Sequence, residues 1–70
     1  MTLYWVLYLE QYTSGPHLTA VGHPNKRSAE DKANELFAYN GTMPIIVKGT
    51  KLELKNEPID HYVIDEESGE

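Results

Sequence analysis

The sequence contains no cysteine. This absence excludes a disulfide framework, a thiolate zinc site and a cysteine nucleophile. No apolar run approaches the ~20 residues that a membrane-spanning helix requires. The start lacks the basic segment of a secretory signal, and Glu10 interrupts its apolar run, so we expect a cytoplasmic protein with no membrane partner.

The chain is also short, because 70 residues provide one domain with little room for a deep pocket. No serine lies in a nucleophile elbow, although a Ser-His-Asp triad could be written on paper. His17 and His23 would lie roughly 20 Å apart along an extended strand, too far to share a metal ion. We therefore expect a non-enzymatic protein with no catalytic residue, no metal and no cofactor.

Positive charge is scarce, and the formal net charge is -5. Four of the eleven acidic residues lie within residues 65–70, which leaves seven acids against six Lys and Arg in residues 1–64. This distribution predicts a nearly neutral folded domain over residues 1–64 and a disordered acidic tail over residues 65–70.

The first twelve residues are the richest part of the chain in aromatic and aliphatic side chains, and they contain no Gly or Pro. They predict a strand whose side chains alternate between two faces. We name these faces by their residues. The leucine face carries Leu3, Trp5, Leu7 and Leu9, and the tyrosine face carries Tyr4, Val6, Tyr8, Glu10 and Tyr12.

The following residues predict a hairpin and then a helix. Turn residues at positions 13–16 precede a weaker strand over residues 17–23. Ser28 is the expected N-cap of a helix from about residue 29 to residue 39, and Asn40-Gly41 is its expected end. The helix stripe consists of Ala29, Ala33, Leu36 and Phe37. Together with the strands, it predicts a core that consists of Leu3, Trp5, Leu7, Leu9, Leu18, Ala33, Leu36, Phe37, Ile45, Val47, Leu52 and Leu54.

The last third predicts a second hairpin. Strands over residues 44–48 and 51–55 are joined by Gly49-Thr50, which fits a two-residue hairpin loop. In that register Lys48 faces Lys51. Residues 59–64 fit either a short edge strand or an extended arm, and the sequence leaves that choice open.

These elements predict an α+β fold, a two-layer sandwich with the order ββαββ. The expected sheet is four-stranded and antiparallel with spatial order 2-1-3-4, and one helix covers its leucine face. The tyrosine face would then be open. Its expected site residues are Tyr4, Tyr8, Tyr12, Ile46, Lys48, Lys51 and Lys55.

An open sheet face of this composition is typical of an interaction surface, because tyrosine provides contact area and tolerates water. We therefore predict a protein-binding module, of the kind that bacterial or phage accessory proteins use to inhibit or modulate a larger host enzyme. Three alternatives remain: a single-stranded nucleic-acid-binding domain, a homodimerising structural protein, and an ordinary solvated sheet face. A nucleic-acid partner is less expected because residues 1–64 contain no excess of basic over acidic residues.

Overall fold

The computed structural model describes residues 2–55 and 57–64, which form a small α+β fold. The elements in chain order are β1 (Leu3–Tyr12), β2 (Gly15–His23), α1 (Lys26–Asn40), β3 (Ile45–Gly49), α2 (Lys51–Leu54) and β4 (His61–Ile64). The predicted α+β class is confirmed. The predicted acidic tail over residues 65–70 lies outside the described residues.

The four strands form one mixed sheet with the order β3-β1-β2-β4. β1 pairs antiparallel with both β2 and β3, so its predicted central position is confirmed. β4 pairs parallel with β2 at the opposite edge. The predicted order 2-1-3-4 and the predicted all-antiparallel sheet are therefore wrong, because the fourth strand comes from residues 61–64 and not from residues 51–55.

Residues 51–54 form the short helix α2 because Thr50 and Glu53 make a capping box. The Thr50 hydroxyl accepts from the Glu53 amide at 3.2 Å, and the Glu53 carboxylate accepts from the Thr50 amide at 3.0 Å. These two bonds satisfy amides that a helix start leaves unpaired. The predicted hairpin at Gly49-Thr50 and the predicted pairing of Lys48 with Lys51 are wrong.

Helix α1 begins three residues earlier than predicted. Its N-cap is Asn25, not Ser28, and the Asn25 side chain accepts from the Ser28 amide at 2.8 Å. The predicted end is confirmed. Gly41 adopts a left-handed φ of 76°, which glycine tolerates best, and its amide bonds to the Phe37 carbonyl.

Helix α1 lies on the tyrosine face of β1, opposite to the predicted side. Val6 is fully buried against Ala29 and Ala33, whose small side chains allow the helix to approach the sheet closely. Tyr4, Tyr8, Leu36 and Ile46 pack around this contact. Phe37, Val47 and Leu52, which we expected in the core, are exposed.

The leucine face has a separate core around Trp5, which is fully buried with Leu3, Ala20 and Leu54. The indole Nε1 donates to the Gly49 carbonyl at 2.9 Å. Gly22 is the cross-strand partner of Trp5, and a Cβ there would lie 2.9 Å from the indole ring. The missing side chain at Gly22 thus makes room for Trp5, and α2 covers this end of the face.

Candidate protein-binding site

The predicted site residues do not form one open surface. Tyr4, Tyr8 and Ile46 are half-buried and pack with α1, so the prediction that the tyrosine face is open is wrong. Tyr12 is exposed beyond the helix.

The three predicted lysines are divided between the two sides of the sheet. Lys48 is exposed, with its Nζ 5.6 Å from the centre of the Tyr4 ring on the tyrosine face. Lys51 lies in α2, and its Nζ is 6.0 Å from the ring of Tyr62, which packs with the Trp5 core. Lys55 is exposed at the C-terminal end of α2.

The leucine face, which we expected beneath the helix, is the side with exposed apolar side chains. Leu7 pairs with Ile45 on β3, and Leu9 pairs with Leu18 on β2, so the four side chains share one face. Leu9 is 63% exposed and Ile45 is 66% exposed. A strand face with two adjacent exposed aliphatic residues is a candidate contact surface.

The same region contains an open sheet edge. β3 pairs with residues 3–7 of β1, and within the described part of the chain no strand pairs with residues 8–12 on that side. On their other side, residues 8–12 pair with β2. Every second residue of this stretch therefore directs its N–H and C=O away from β2, as an antiparallel ladder requires.

An apolar groove follows this edge. The C-terminal end of α1 and the loop before β3 form one wall, and the leucine face forms the other. Tyr39 is 89% exposed in this wall. We call this site the edge groove, and its apolar lining consists of Leu7, Leu9, Leu18, Leu36, Tyr39, Met43, Pro44 and Ile45.

Sequence reasoning missed most of these residues. The sequence predicts a buried core position for five of them, Leu7, Leu9, Leu18, Leu36 and Ile45, and gives no role to Tyr39 or Met43. Leu9 and Ile45 are exposed, so their predicted burial is wrong. One signal was available, because Tyr39 falls outside the apolar stripe of α1 and a large aromatic residue there has no place in the core.

Negative charge lies beside the edge groove. Partial burial and the Glu10 carboxylate raise the pKa of Tyr8, with a smaller effect from Tyr12. Partial burial, the Glu10 charge and a hydrogen bond with Glu10 raise the pKa of Tyr12. The last turn of α1 contains no basic residue, so the negative end of the helix dipole is not offset there.

A second cluster joins the first hairpin to β4. The ring of Tyr12 lies 5.0 Å from that of His17 and 5.3 Å from that of His61, and the two imidazoles are 5.5 Å apart. In residues 2–55 and 57–64, no group of three or more His, Asp or Glu side chains is placed to hold a metal ion.

Ser14, His17 and Asp60 come together in this cluster, which the sequence alone did not indicate. Ser14 Oγ is 2.8 Å from His17 Nε2, whereas His17 Nδ1 is 3.8 Å from Asp60 Oδ2, too far for a hydrogen bond. The same Asp60 oxygen accepts from the Leu18 amide at 2.7 Å. The arrangement therefore links the hairpin to the start of β4 and lacks the close His–Asp contact of a triad.

None of the helices in the described ranges is long and apolar enough to cross a membrane. Neither a protein-family model, nor a curated protein, nor a solved structure matches the chain.

Proposed function

We propose that the protein is a small non-enzymatic binding module that contacts a protein partner through the edge groove. The observation that carries this proposal is the exposure of Leu9, Ile45 and Tyr39 around residues 8–12 of β1. These residues pair with β2 on one side and, among the described residues, with no strand on the other. Exposed apolar side chains that converge on a groove favour association with another protein, because burying them removes apolar surface from water. The tyrosine face contributes Tyr8 and Glu10 to the groove, and Tyr12 is exposed beyond it.

The proposed role remains that of an accessory protein that modulates a larger partner. The small size of the chain and the mainly apolar lining of the groove support binding rather than catalysis, because catalysis requires several converging polar groups in a site that excludes water. The Ser14, His17 and Asp60 cluster does not change this proposal, because Ser14 and Asp60 are exposed to solvent and His17 is partly exposed.

The experiment compares two double variants that remove similar apolar surface. Leu9→Thr/Ile45→Thr changes the edge groove, and Leu52→Thr/Val63→Thr changes exposed residues outside it. A protein captured from a lysate of the source organism should bind the groove variant at least about tenfold more weakly, and the control variant nearly as well as the original chain. Equal capture by both variants, or no captured protein, would overturn the proposal.

Cross-linking locates the contact independently. A photoreactive residue in place of Tyr39 should form an adduct with the captured protein, whereas the same residue in place of Leu52 should not. Both positions are highly exposed, so neither substitution should affect folding much. An adduct only from position 52 would place the partner on α2 and contradict the proposal.

A further inference from the structure

We infer that the edge groove binds an extended segment of its partner as an additional strand on β1, and that this segment alternates apolar and basic side chains. This inference rests on the proposed function and specifies the chemistry of the partner.

The backbone of β1 determines the extended conformation. Residues 8–12 span roughly 17 Å at about 3.4 Å per residue. Among the residues that the structure describes, they have a strand neighbour only on the β2 side. An extended segment can hydrogen bond with the outward amides and carbonyls, which is how sheet edges bind peptides. It would continue the line of β3, whose first residue, Ile45, lies opposite Leu7.

The two faces of β1 determine why the bound segment should alternate apolar and basic side chains. Alternate side chains of an added strand point to opposite faces of the sheet. On one face they would meet Leu9 and Ile45, which are exposed and aliphatic. On the other face they would meet Tyr8, Glu10 and Tyr12. The first face favours apolar side chains, and the second favours a cation.

Three features favour a cation on the second face. The Glu10 carboxylate is close enough to raise the pKa of both Tyr8 and Tyr12. Tyrosine rings attract cations over their faces. The C-terminal end of α1, including Tyr39 and Asn40, lines the groove, and its last turn contains no basic residue.

The same charges disfavour a second copy of this chain. Antiparallel pairing of residues 8–12 with themselves would place Glu10 directly opposite Glu10, and like charges in such a pair are destabilising. Each copy also carries a net charge of -5, and the last six residues of the chain contain four acids. A basic segment of a different protein avoids this repulsion.

The test uses the full chain and three labelled seven-residue peptides with blocked ends. The first alternates lysine and valine, the second alternates glutamate and valine, and the third has the composition of the first with its valines adjacent. Fluorescence anisotropy at low salt measures each affinity. The alternating lysine peptide should bind at least about tenfold more tightly than either control.

Two further measurements locate the peptide and its charge contact. Hydrogen exchange should slow at outward amides within residues 8–12 when the lysine peptide binds. Glu10→Gln can still accept from Thr19, so it should retain the fold and reduce the preference for lysine over glutamate about two- to fivefold. Equal binding of the three peptides, unchanged exchange in residues 8–12, or an undiminished preference in Glu10→Gln would overturn the inference.

The inference and the proposed function can fail separately. If a captured protein depends on Leu9 and Ile45 but no alternating lysine peptide binds, the inference is wrong and the proposed function stands. If sedimentation shows a dimer that Leu9→Thr/Ile45→Thr dissociates, the occupant is a second copy and the inference is wrong. If no protein and no peptide depends on the edge groove, both are wrong.

Discussion

At the scale of single residues, Gly22 and Trp5 show how one missing side chain organises a face of the sheet. Trp5 fills the space above Gly22, its cross-strand partner, and bonds to the Gly49 carbonyl. The sequence identified Trp5 as a core residue, and the structure confirms this. The sequence could not identify Gly22 as its partner, because that pairing depends on the hairpin register.

We predict that Gly22→Ala lowers the free energy of unfolding by about 1–3 kcal/mol, the usual cost of overfilling a core. The new Cβ would lie 2.9 Å from the Trp5 ring and 3.0 Å from Leu3. Gly49→Ala is the control, because its nearest contact would be an ordinary 3.4 Å. Urea unfolding measures the free energy of unfolding of both variants. An equal decrease in the two would contradict the close approach of Trp5 to Gly22.

Thr50 and Glu53 are a residue-scale signal for a helix start, whereas we predicted a strand over residues 51–55. Thr-x-x-Glu is a capping box, but Leu52 and Leu54 also alternate as they would in a strand. Four residues are too few for hydrophobic periodicity to distinguish a helix from a strand. The cap decides in favour of a helix, because it pairs two backbone amides within the segment.

This cap predicts a pH dependence. Hydrogen bonds from the backbone and side chain of Thr50 lower the pKa of Glu53 below its ordinary 4.5. A lowered pKa in the folded state stabilises the fold above that ordinary value, and the stabilisation is lost as the pH falls through the lowered pKa. The free energy of unfolding, measured from pH 7 to pH 2, should therefore decline less steeply in Glu53→Gln than in the original chain. Identical pH profiles would show that the cap contributes nothing.

At the scale of elements, the face occupied by α1 could not be predicted from hydrophobic periodicity. Both faces of β1 carry large apolar side chains, so the alternation identified a strand without identifying its helix side. The small residues of α1 determine which face of β1 the helix packs on. Ala29 and Ala33 fit closely over Val6, whereas Trp5 on the other face requires a wider space.

We predict that Ala33→Leu lowers the free energy of unfolding by about 1–3 kcal/mol, because a larger side chain does not fit between α1 and Val6. Ala38→Leu, on the exposed side of the same helix, is the matched control and should be nearly neutral. Thermal unfolding followed by circular dichroism compares the two variants. A neutral Ala33→Leu would show that this side of α1 does not pack on the sheet.

The attachment of β4 depends on Asp60. The Asp60 amide donates to the Leu18 carbonyl at 2.8 Å, and its carboxylate accepts from the Leu18 amide. Asp60→Ala should weaken this attachment by about 1–2 kcal/mol and speed hydrogen exchange at residues 61–64 more than in β1. Asp60→Asn retains an acceptor and should resemble the original chain. Equal rates of hydrogen exchange at residues 61–64 in Asp60→Ala and Asp60→Asn would show that contacts other than the Asp60 carboxylate attach β4.

At the scale of the whole molecule, the sheet separates two small cores. The sequence predicted one helix layer over one core, whereas the structure places α1 on one side and α2 on the other. The class, the central β1 and its two antiparallel neighbours followed from local patterns. The parallel pairing of β4 did not, because it joins residues about 40 positions apart and no turn determines its register.

The net charge of the whole chain predicts how the open edge behaves in concentrated solution. An unpaired strand edge beside apolar side chains promotes association, and a net charge of -5 opposes it. We expect the original chain to sediment at 8.0 kDa at low salt.

Replacing Asp65 by Asn and Glu66, Glu67 and Glu70 by Gln should raise the average mass at the same concentration. Adding Leu9→Thr and Ile45→Thr to this neutralised chain should restore the monomer, because association would occur through the edge groove. Association that persists in the combined variant would place the contact elsewhere, and a monomeric neutralised chain would show that charge is not what keeps the edge free.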